Sequence, residues 1–334
     1  MTSLRVAMVG AGGHARRHLE VLSRRPDVTL VGHVARSTES ASRQARRYGG
    51  RAFDDVDALL QHEQVDAAWI CVPPAAHGPS EAAFVAADVP FLVEKPLSAD
   101  AATAESIAAD VAAAGLVTAV GYHWRALDTL AEVRERLATG PPVRLLTAAW
   151  HSSLPAPPWW RREATSGGQI VEQATHLLDL ALHLLGDAEV LHAAEVRRAG
   201  EVRRECPTGY DTPERPTTSD VDVAEASSAT LRFGTGALGI ITATWVLAAS
   251  DAVELRLHRE GERITITQDA LTLDSGREAR VVRTQDDPVA TQDAAFLAAV
   301  RAGDPGAVTC SYAEALRTHR LAQRVRERAR TGVG

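Results

Sequence analysis

The sequence predicts an α/β protein of two domains. Residues 1–122 read as a doubly wound parallel sheet, and residues 123–334 as a second α/β domain with a large, mainly antiparallel open sheet. Three observations lead there. Through the first third of the chain, apolar strand-like runs alternate with helical patterns. From about Val143 the rhythm changes to extended segments joined by short glycine turns. The chain has 334 residues, 45% hydrophobic and 24% charged, which suits two globular units.

In the first unit, strands are expected at Leu4–Val9, Val28–Val34, Asp66–Val72, Val89–Val93 and Val117–Gly121. Helical patterns lie between them, for example Ala15–Ser23, Ser80–Ala87 and Ala101–Ala114. The strands are nearly continuous apolar runs, as expected when helices cover both faces of a parallel sheet. In the second unit a helix is expected over 168–185. Extended segments follow at Val221–Phe233, Ala237–Leu247, Ala252–Arg259, Arg263–Thr267, Ala270–Leu273 and Ala279–Arg283. Gly234-Thr235-Gly236, Glu260-Gly261 and Ser275-Gly276 between them are hairpin connections. Helices at about 290–302 and 311–330 close the chain, the last one a candidate to pack back on the first domain. The polar, turn-rich stretch 206–220 reads as a loop and a candidate cover for a pocket.

Composition narrows the function. The net charge of -7 is dispersed, with no basic patch among aromatics, so nucleic acid is excluded as a partner. No apolar run approaches the roughly 20 residues that span a bilayer. The N-terminal run enters a glycine loop without a basic lead-in, unlike a signal peptide, so the expected location is cytoplasmic. Cys71, Cys206 and Cys310 have neither disulfide-framework nor zinc spacing. Among 36 Lys+Arg, Lys95 is the single lysine, and the chain has no asparagine. A GC-rich genome accounts for such a bias, and a lysine that survives it invites a role that arginine cannot fill.

Two local patterns carry chemistry. The first strand runs into Gly10-Ala11-Gly12-Gly13-His14-Ala15, a G-x-G-x-x-A fingerprint. Gly10 permits the turn, Gly12 and Gly13 admit a pyrophosphate, His14 opens the helix, and the helix N-terminus faces the phosphates. At the end of the second strand, Ala35 stands where an acidic residue would hold the ribose of NAD, and Arg36 and Ser37 follow. That favours NADP, with NAD as the other candidate. The second pattern is the stripe Glu172, His176, Asp179 and His183, at i, i+4, i+7 and i+11 of the expected helix, with no lysine or arginine on it. It reads as a cleft wall for proton transfer rather than a metal site, because H-E-x-x-H spacing and cysteine partners are absent. His123-Trp124-Arg125 and Trp159 are candidate sugar contacts, alternatively domain-interface packing.

Val93-Glu94-Lys95-Pro96, Trp69-Ile70-Cys71-Val72-Pro73-Pro74-Ala75-Ala76-His77 and the 167–179 segment together resemble the Gfo/Idh/MocA family, the glucose–fructose oxidoreductase and inositol dehydrogenase group. The resemblance implies an N-terminal Rossmann domain and Lys95 beside the nicotinamide ring, with the bond before Pro96 often cis. It implies that His176 faces the same cleft. It places Val72, Pro73, Pro74, His77 and Glu94 near the cofactor and lets Trp160-Arg161 reach the nicotinamide end. Asp179 matches a position that binds substrate or braces the helix. Many relatives carry Asp where this chain has Glu172, which is expected to orient His176.

The implied function is an NAD(P)-dependent oxidoreductase acting on a secondary alcohol or ketone of a sugar, cyclitol or glycoside, with His176 as proton carrier and Lys95 stabilising charge on oxygen. The alternatives are a transient-oxidation glycosidase or epimerase with tightly held cofactor, and a nucleotide-sensing regulatory protein on the same scaffold. The sheet faces of the family often pair, so a homodimer or homotetramer is expected.

Overall fold

The structure, a computed structural model, describes residues 3–197 and 221–331. The loop expected at 206–220, including Cys206, lies outside the described residues.

The first sheet contains β1 (Leu4–Val9), β2 (Val28–Val34), β3 (Arg51–Phe53), β4 (Ala67–Ile70), β5 (Phe91–Val93) and β6 (Thr118–Val120). All pairs are parallel, in the order β3-β2-β1-β4-β5-β6. Alternate residues supply two cores. Ala7, Val9, Ile70 and Val93 pack on one side, and Val6, Met8, Trp69 and Leu92 on the other. Helices α1 (Gly13–Leu22), α2 (Thr38–Tyr48), α3 (Val56–His62), α4 (Pro79–Ala86) and α5 (Ala101–Ala114) make the crossovers. Side chains of Ser37, Asp55 and Asp100 cap α2, α3 and α5, and Gly115, left-handed at φ 62, ends α5. The strand order reverses between β1 and β4, which opens a crevice at the carboxyl ends of the strands.

The second unit holds α6 (Leu130–Thr139), β7 (Leu145–His151), α7 (Glu163–Ser166), α8 (Gln169–Glu172), α9 (Thr175–Leu185) and β8 (Ala188–Val196). Then come β9 (Ala226–Phe233), β10 (Leu238–Thr244), β11 (Val253–Arg259), β12 (Glu262–Ile266), β13 (Ala270–Asp274), β14 (Ala279–Arg283), α10 (Pro288–Ala302) and α11 (Tyr312–Thr331). The eight strands run β14-β13-β12-β11-β7-β10-β9-β8, antiparallel except for the β7–β10 pair. Gly236, Gly261 and Gly276 sit at positive φ in the hairpin turns expected there. Helices α8, α9 and α11 pack on the sheet, while Leu238 and Ile240 of β10 remain 43% exposed. Helix α10 packs on α1, and α11 on α5.

Three strands were not among the sequence expectations: β3, β7 and β8. Strand β3 has only three residues. The segments LLTAAWH and AEVLHAAEV are rich in alanine, which is depleted in strands, and become strands through pairing with their neighbours.

The single helix expected over 168–185 is a correction. It is two helices separated at Gln173–Ala174. The Ala174 amide reaches back to Gln169, and the His176 amide donates to Gln173 at 3.3 Å rather than to Glu172. The carbonyl of Glu172 is therefore left without an intrahelical partner.

Candidate active site

The loops after β1, β4, β5 and β6 all leave the same edge of the parallel sheet, and α8 and α9 lie across it. Gly10 takes φ +108, and a Cβ there would stand 2.1 Å from the Cys71 carbonyl oxygen, so the backbone just after β4 excludes any side chain. At Gly12 and Gly13 a Cβ would meet nothing within 4 Å, and both residues are exposed. The first turn of α1 thus presents amides to open space, as a dinucleotide pyrophosphate requires. Ala35 is buried at the end of β2. Arg36 is exposed with no ion pair among the described residues, and Ser37 is occupied in part as the α2 cap, accepting from Ser40 at 3.3 Å.

After β4, Val72 and Pro73 are half-buried and Pro74 opens a short turn. His77 lies beneath it, its Nδ1 2.5 Å from the Glu81 carboxylate and its Nε2 buried without a partner. After β5, Glu94 is 5% exposed and the Lys95–Pro96 peptide is cis. The Lys95 ammonium donates to the carbonyl oxygen of Glu172 at 2.8 Å and to its Oε1 at 2.8 Å. The interrupted helix supplies the first acceptor. The other carboxylate oxygen, Oε2, accepts from the indole of Trp160 at 2.7 Å. Glu172 is therefore committed to Lys95 and Trp160, a correction to the expectation that it orients His176. Trp160 is 1% exposed and meets Trp245 edge-on at 6.4 Å, with half-buried Trp159 packed on the same cluster. Arg161 is half-buried, and its Nε has no partner.

His176 opens the next helix and is 4% exposed. Its ring stacks on Trp150 of β7 at 5.8 Å and meets His123 edge-on at 4.9 Å. Neither ring nitrogen has a hydrogen-bond partner among the described residues, and Nδ1 is fully buried. Burial first, then the positive charge of Lys95, hold this imidazole well below the usual 6.5. It is neutral at neutral pH. Burial likewise pushes His123 down to about 4. The exposed Gln268, in the turn between β12 and β13, bonds His123 Nε2 at 3.1 Å.

Three other candidate contacts are packed into the protein, which for Arg125 and Asp179 accords with the packing and bracing alternatives given above. Trp124 is fully buried in the core of the second unit. Arg125 grips Asp179 with two bonds of 2.8 Å, and a third nitrogen reaches Glu314 at 2.8 Å. Asp179 is fully buried and also accepts from Thr318 at 3.0 Å. The pair braces α9 against α11 and the loop after β6, which leaves Asp179 no face toward the cleft. His183 is half-buried against Arg134.

Two residues outside the sequence expectation join the site from behind. His18 of α1 lies between Glu94 and Asp293 of α10. Each is a titratable group on the mainly apolar buried face of its helix, the signal by which they could have been found.

Among the described residues no group of three or more His, Cys, Asp or Glu could hold a metal ion, and no helix is long and apolar enough to cross a membrane. Residues 4–122 match the model of an oxidoreductase family with an NAD-binding Rossmann fold, and residues 130–267 match the GFO/IDH/MocA C-terminal domain. A dTDP-3,4-didehydro-2,6-dideoxy-alpha-D-glucose 3-reductase of Streptomyces antibioticus is 32% identical over 57% of this chain; the match spans 59% of that protein's length. A 3-ketoreductase of Actinomadura kijaniata, solved with NADP and TDP-benzene, superposes with TM-score 0.82 at 21% identity over 98% of both chains. A protein from gentamicin A biosynthesis, solved with NAD, gives 0.80 at 22% identity over 100% of this chain and 96% of the other. At these identities the solved structures establish the fold.

Proposed function

Because the chain belongs to the Gfo/Idh/MocA oxidoreductase family, we propose that it moves a hydride between a nicotinamide dinucleotide and a secondary alcohol or ketone of a sugar, cyclitol or glycoside. One observation carries this reading. The Lys95 ammonium of the first unit and the neutral His176 imidazole of the second, unpartnered among the described residues and near enough for the lysine's charge to act on it, lie at the carboxyl edge of a parallel sheet whose glycine turn suits a pyrophosphate.

The Gly10–His14 turn, the Val72–Pro74 segment and the Glu94–Pro96 loop would hold a dinucleotide, which when bound would supply the hydride acceptor or donor. The remaining work is proton and charge management. In alcohol oxidation, neutral His176 accepts the hydroxyl proton. The Lys95 ammonium has three donors, and Glu172 takes two of them at 2.8 Å each. The third is left for the substrate oxygen, where it stabilises developing negative charge. Glu172 is thus a positioning residue for Lys95. His123, with Gln268 behind it, lines the substrate side of His176.

The cofactor reading is NADP in preference to NAD. No carboxylate stands at Ala35, and the Arg36 guanidinium is exposed and unpaired among the described residues, so it is available to a 2′-phosphate. One of the two solved relatives named above holds NADP and the other NAD. The exposed Leu238 and Ile240, on a sheet face that no described helix covers there, support a homodimer or homotetramer. A spectrophotometric screen of polyols and glycosides with NADP and NAD at alkaline pH tests the reading. Substrate-dependent reduction of NADP faster than of NAD is expected. Substrate conversion without net cofactor reduction would instead indicate transient oxidation, and inertness toward every polyol and glycoside would overturn the proposal.

A further inference from the structure

Behind the Glu94–Lys95 segment lies a buried chain of charged groups that hydride transfer itself does not require. His18 is 1% exposed, Asp293 0% and Glu94 5%. His18 Nδ1 is 2.9 Å from both oxygens of Asp293, and its Nε2 is 3.1 Å from Glu94 Oε1. Asp293 also accepts from the Trp69 indole at 3.0 Å, and Glu94 Oε2 accepts from the main-chain N–H of Lys95 at 3.1 Å. A neutral imidazole has one donor and one acceptor. With carboxylates against both nitrogens, His18 satisfies them only by donating twice, as the imidazolium. Burial opposes that charge, but Asp293 and Glu94 outweigh it and raise His18 to about 10.

The Glu94 carboxylate is fixed on its remaining side as well. A Cβ on Gly121 would stand 2.7 Å from its carboxyl carbon, so the carboxylate rests directly on the backbone just after β6. His14 Nδ1, on the dinucleotide turn, is 3.7 Å from Glu94 Oε1. Helix α1 and the main chain of Lys95 thus hold the carboxylate directly, and α10 reaches it through His18, with a sequence separation of 275 between His18 and Asp293.

The geometry points to Asp293 and His18 as positioning residues: Asp293 holds His18 as a two-sided donor, His18 holds Glu94, and Glu94 holds the main chain of Lys95. Helix α10, late in the chain, thereby sets the nicotinamide end of the cleft. This rests on the proposed function in placing that end at Lys95.

The test uses Asp293→Asn in the full-length protein, with two binding probes: the intact dinucleotide and its adenine-side fragment, 2′-phospho-ADP-ribose. Losing one charge-assisted bond at the anchor should weaken the intact dinucleotide and lower kcat about tenfold each, and change fragment affinity by less than about twofold. Equal loss of both probes would mark a merely structural role and overturn the inference; so would no change in either. A measurement on the wild-type protein covers the case where the variant fails to fold. Nitrogen-15 NMR should show one imidazole protonated on both nitrogens at pH 8.5, absent from His18→Gln. A neutral His18 tautomer at that pH would overturn the inference. Lys95→Met keeps the outcomes separable. Full turnover in that variant would refute the function assigned to Lys95, while the binding and NMR results would stand.

Discussion

Glu172→Gln separates the partner found in the structure from the partner the sequence suggested. The Lys95 and Glu172 side chains are 6% and 13% exposed, so the pair is little screened by solvent. Glutamine offers one acceptor oxygen where glutamate offers two. Its amide nitrogen must then face either the Lys95 ammonium or the Trp160 indole, both of them donors. Losing one charge-assisted hydrogen bond removes about 1.5–3 kcal/mol. Leaving a buried ammonium without its counter-charge brings the total destabilisation to about 3–5 kcal/mol. The Glu172 carbonyl still holds Lys95, which favours the lower end of that range. Denaturant unfolding of Glu172→Gln, Lys95→Met and the double variant should give a coupling energy of about 1.5–3 kcal/mol. The same cycle with His176→Ala in place of Lys95→Met should be additive within about 0.5 kcal/mol. A coupling that appeared with His176 and vanished with Lys95 would refute the reassignment of Glu172.

Two further outcomes follow from the same geometry. Burial and then Lys95 hold His176 below 6.5, so the acid limb of kcat/KM for alcohol oxidation should lie below that value. Removing the positive charge in Lys95→Met should move the limb upward in the residual turnover; a limb at or above 6.5 in the wild-type enzyme contradicts a neutral resting imidazole. The two turn glycines should separate folding from binding. In Gly10→Ala the methyl meets the Cys71 carbonyl at 2.1 Å and the residue is held at φ +108, so calorimetry should show destabilisation of at least about 2 kcal/mol. In Gly12→Ala nothing of the protein lies within 4 Å and φ is -79, so stability should hold within about 1 kcal/mol while dinucleotide affinity falls tenfold or more. Intact affinity in Gly12→Ala would move the pyrophosphate elsewhere.

Much of the fold was legible because it rests on local signals. Leu4–Val9 and Val28–Val34 match β1 and β2 to the residue, since an apolar run closed by a glycine turn or a cap leaves little freedom of register. Helix α5 was likewise bounded by its Asp100 cap and by Gly115. Strand β7 was not legible. Its alanines and threonine are unremarkable until β10 and β11 pair on either side, yet it carries Trp150, the platform for His176. The break between α8 and α9 was also hidden, because Gln173 and Ala174 are acceptable helix residues. It is made by tertiary contacts, among them the bond from Lys95 to the carbonyl that the break releases.

That break explains why Glu172, which periodicity places one turn before His176, faces Lys95 and Trp160 instead. Periodicity reports which residues share a face, not which group that face meets. Of the four stripe residues, Asp179 is neutralised by Arg125, His183 rests against Arg134, and Glu172 lies beyond the break with its oxygens on Lys95 and Trp160. Only His176 has no partner for either nitrogen among the described residues. A buried polar atom left unpaired costs about 1–3 kcal/mol. Unpaired buried polar atoms also occur away from the proposed site among the described residues, at Trp124 Nε1 and Thr129 Oγ1 for example, so the missing bond by itself does not mark a ligand site. Under the proposed function one ligand oxygen bonds both the His176 imidazole and the third donor of Lys95, and that shared partner, not the unbonded nitrogen alone, is the reason to assign His176 a role.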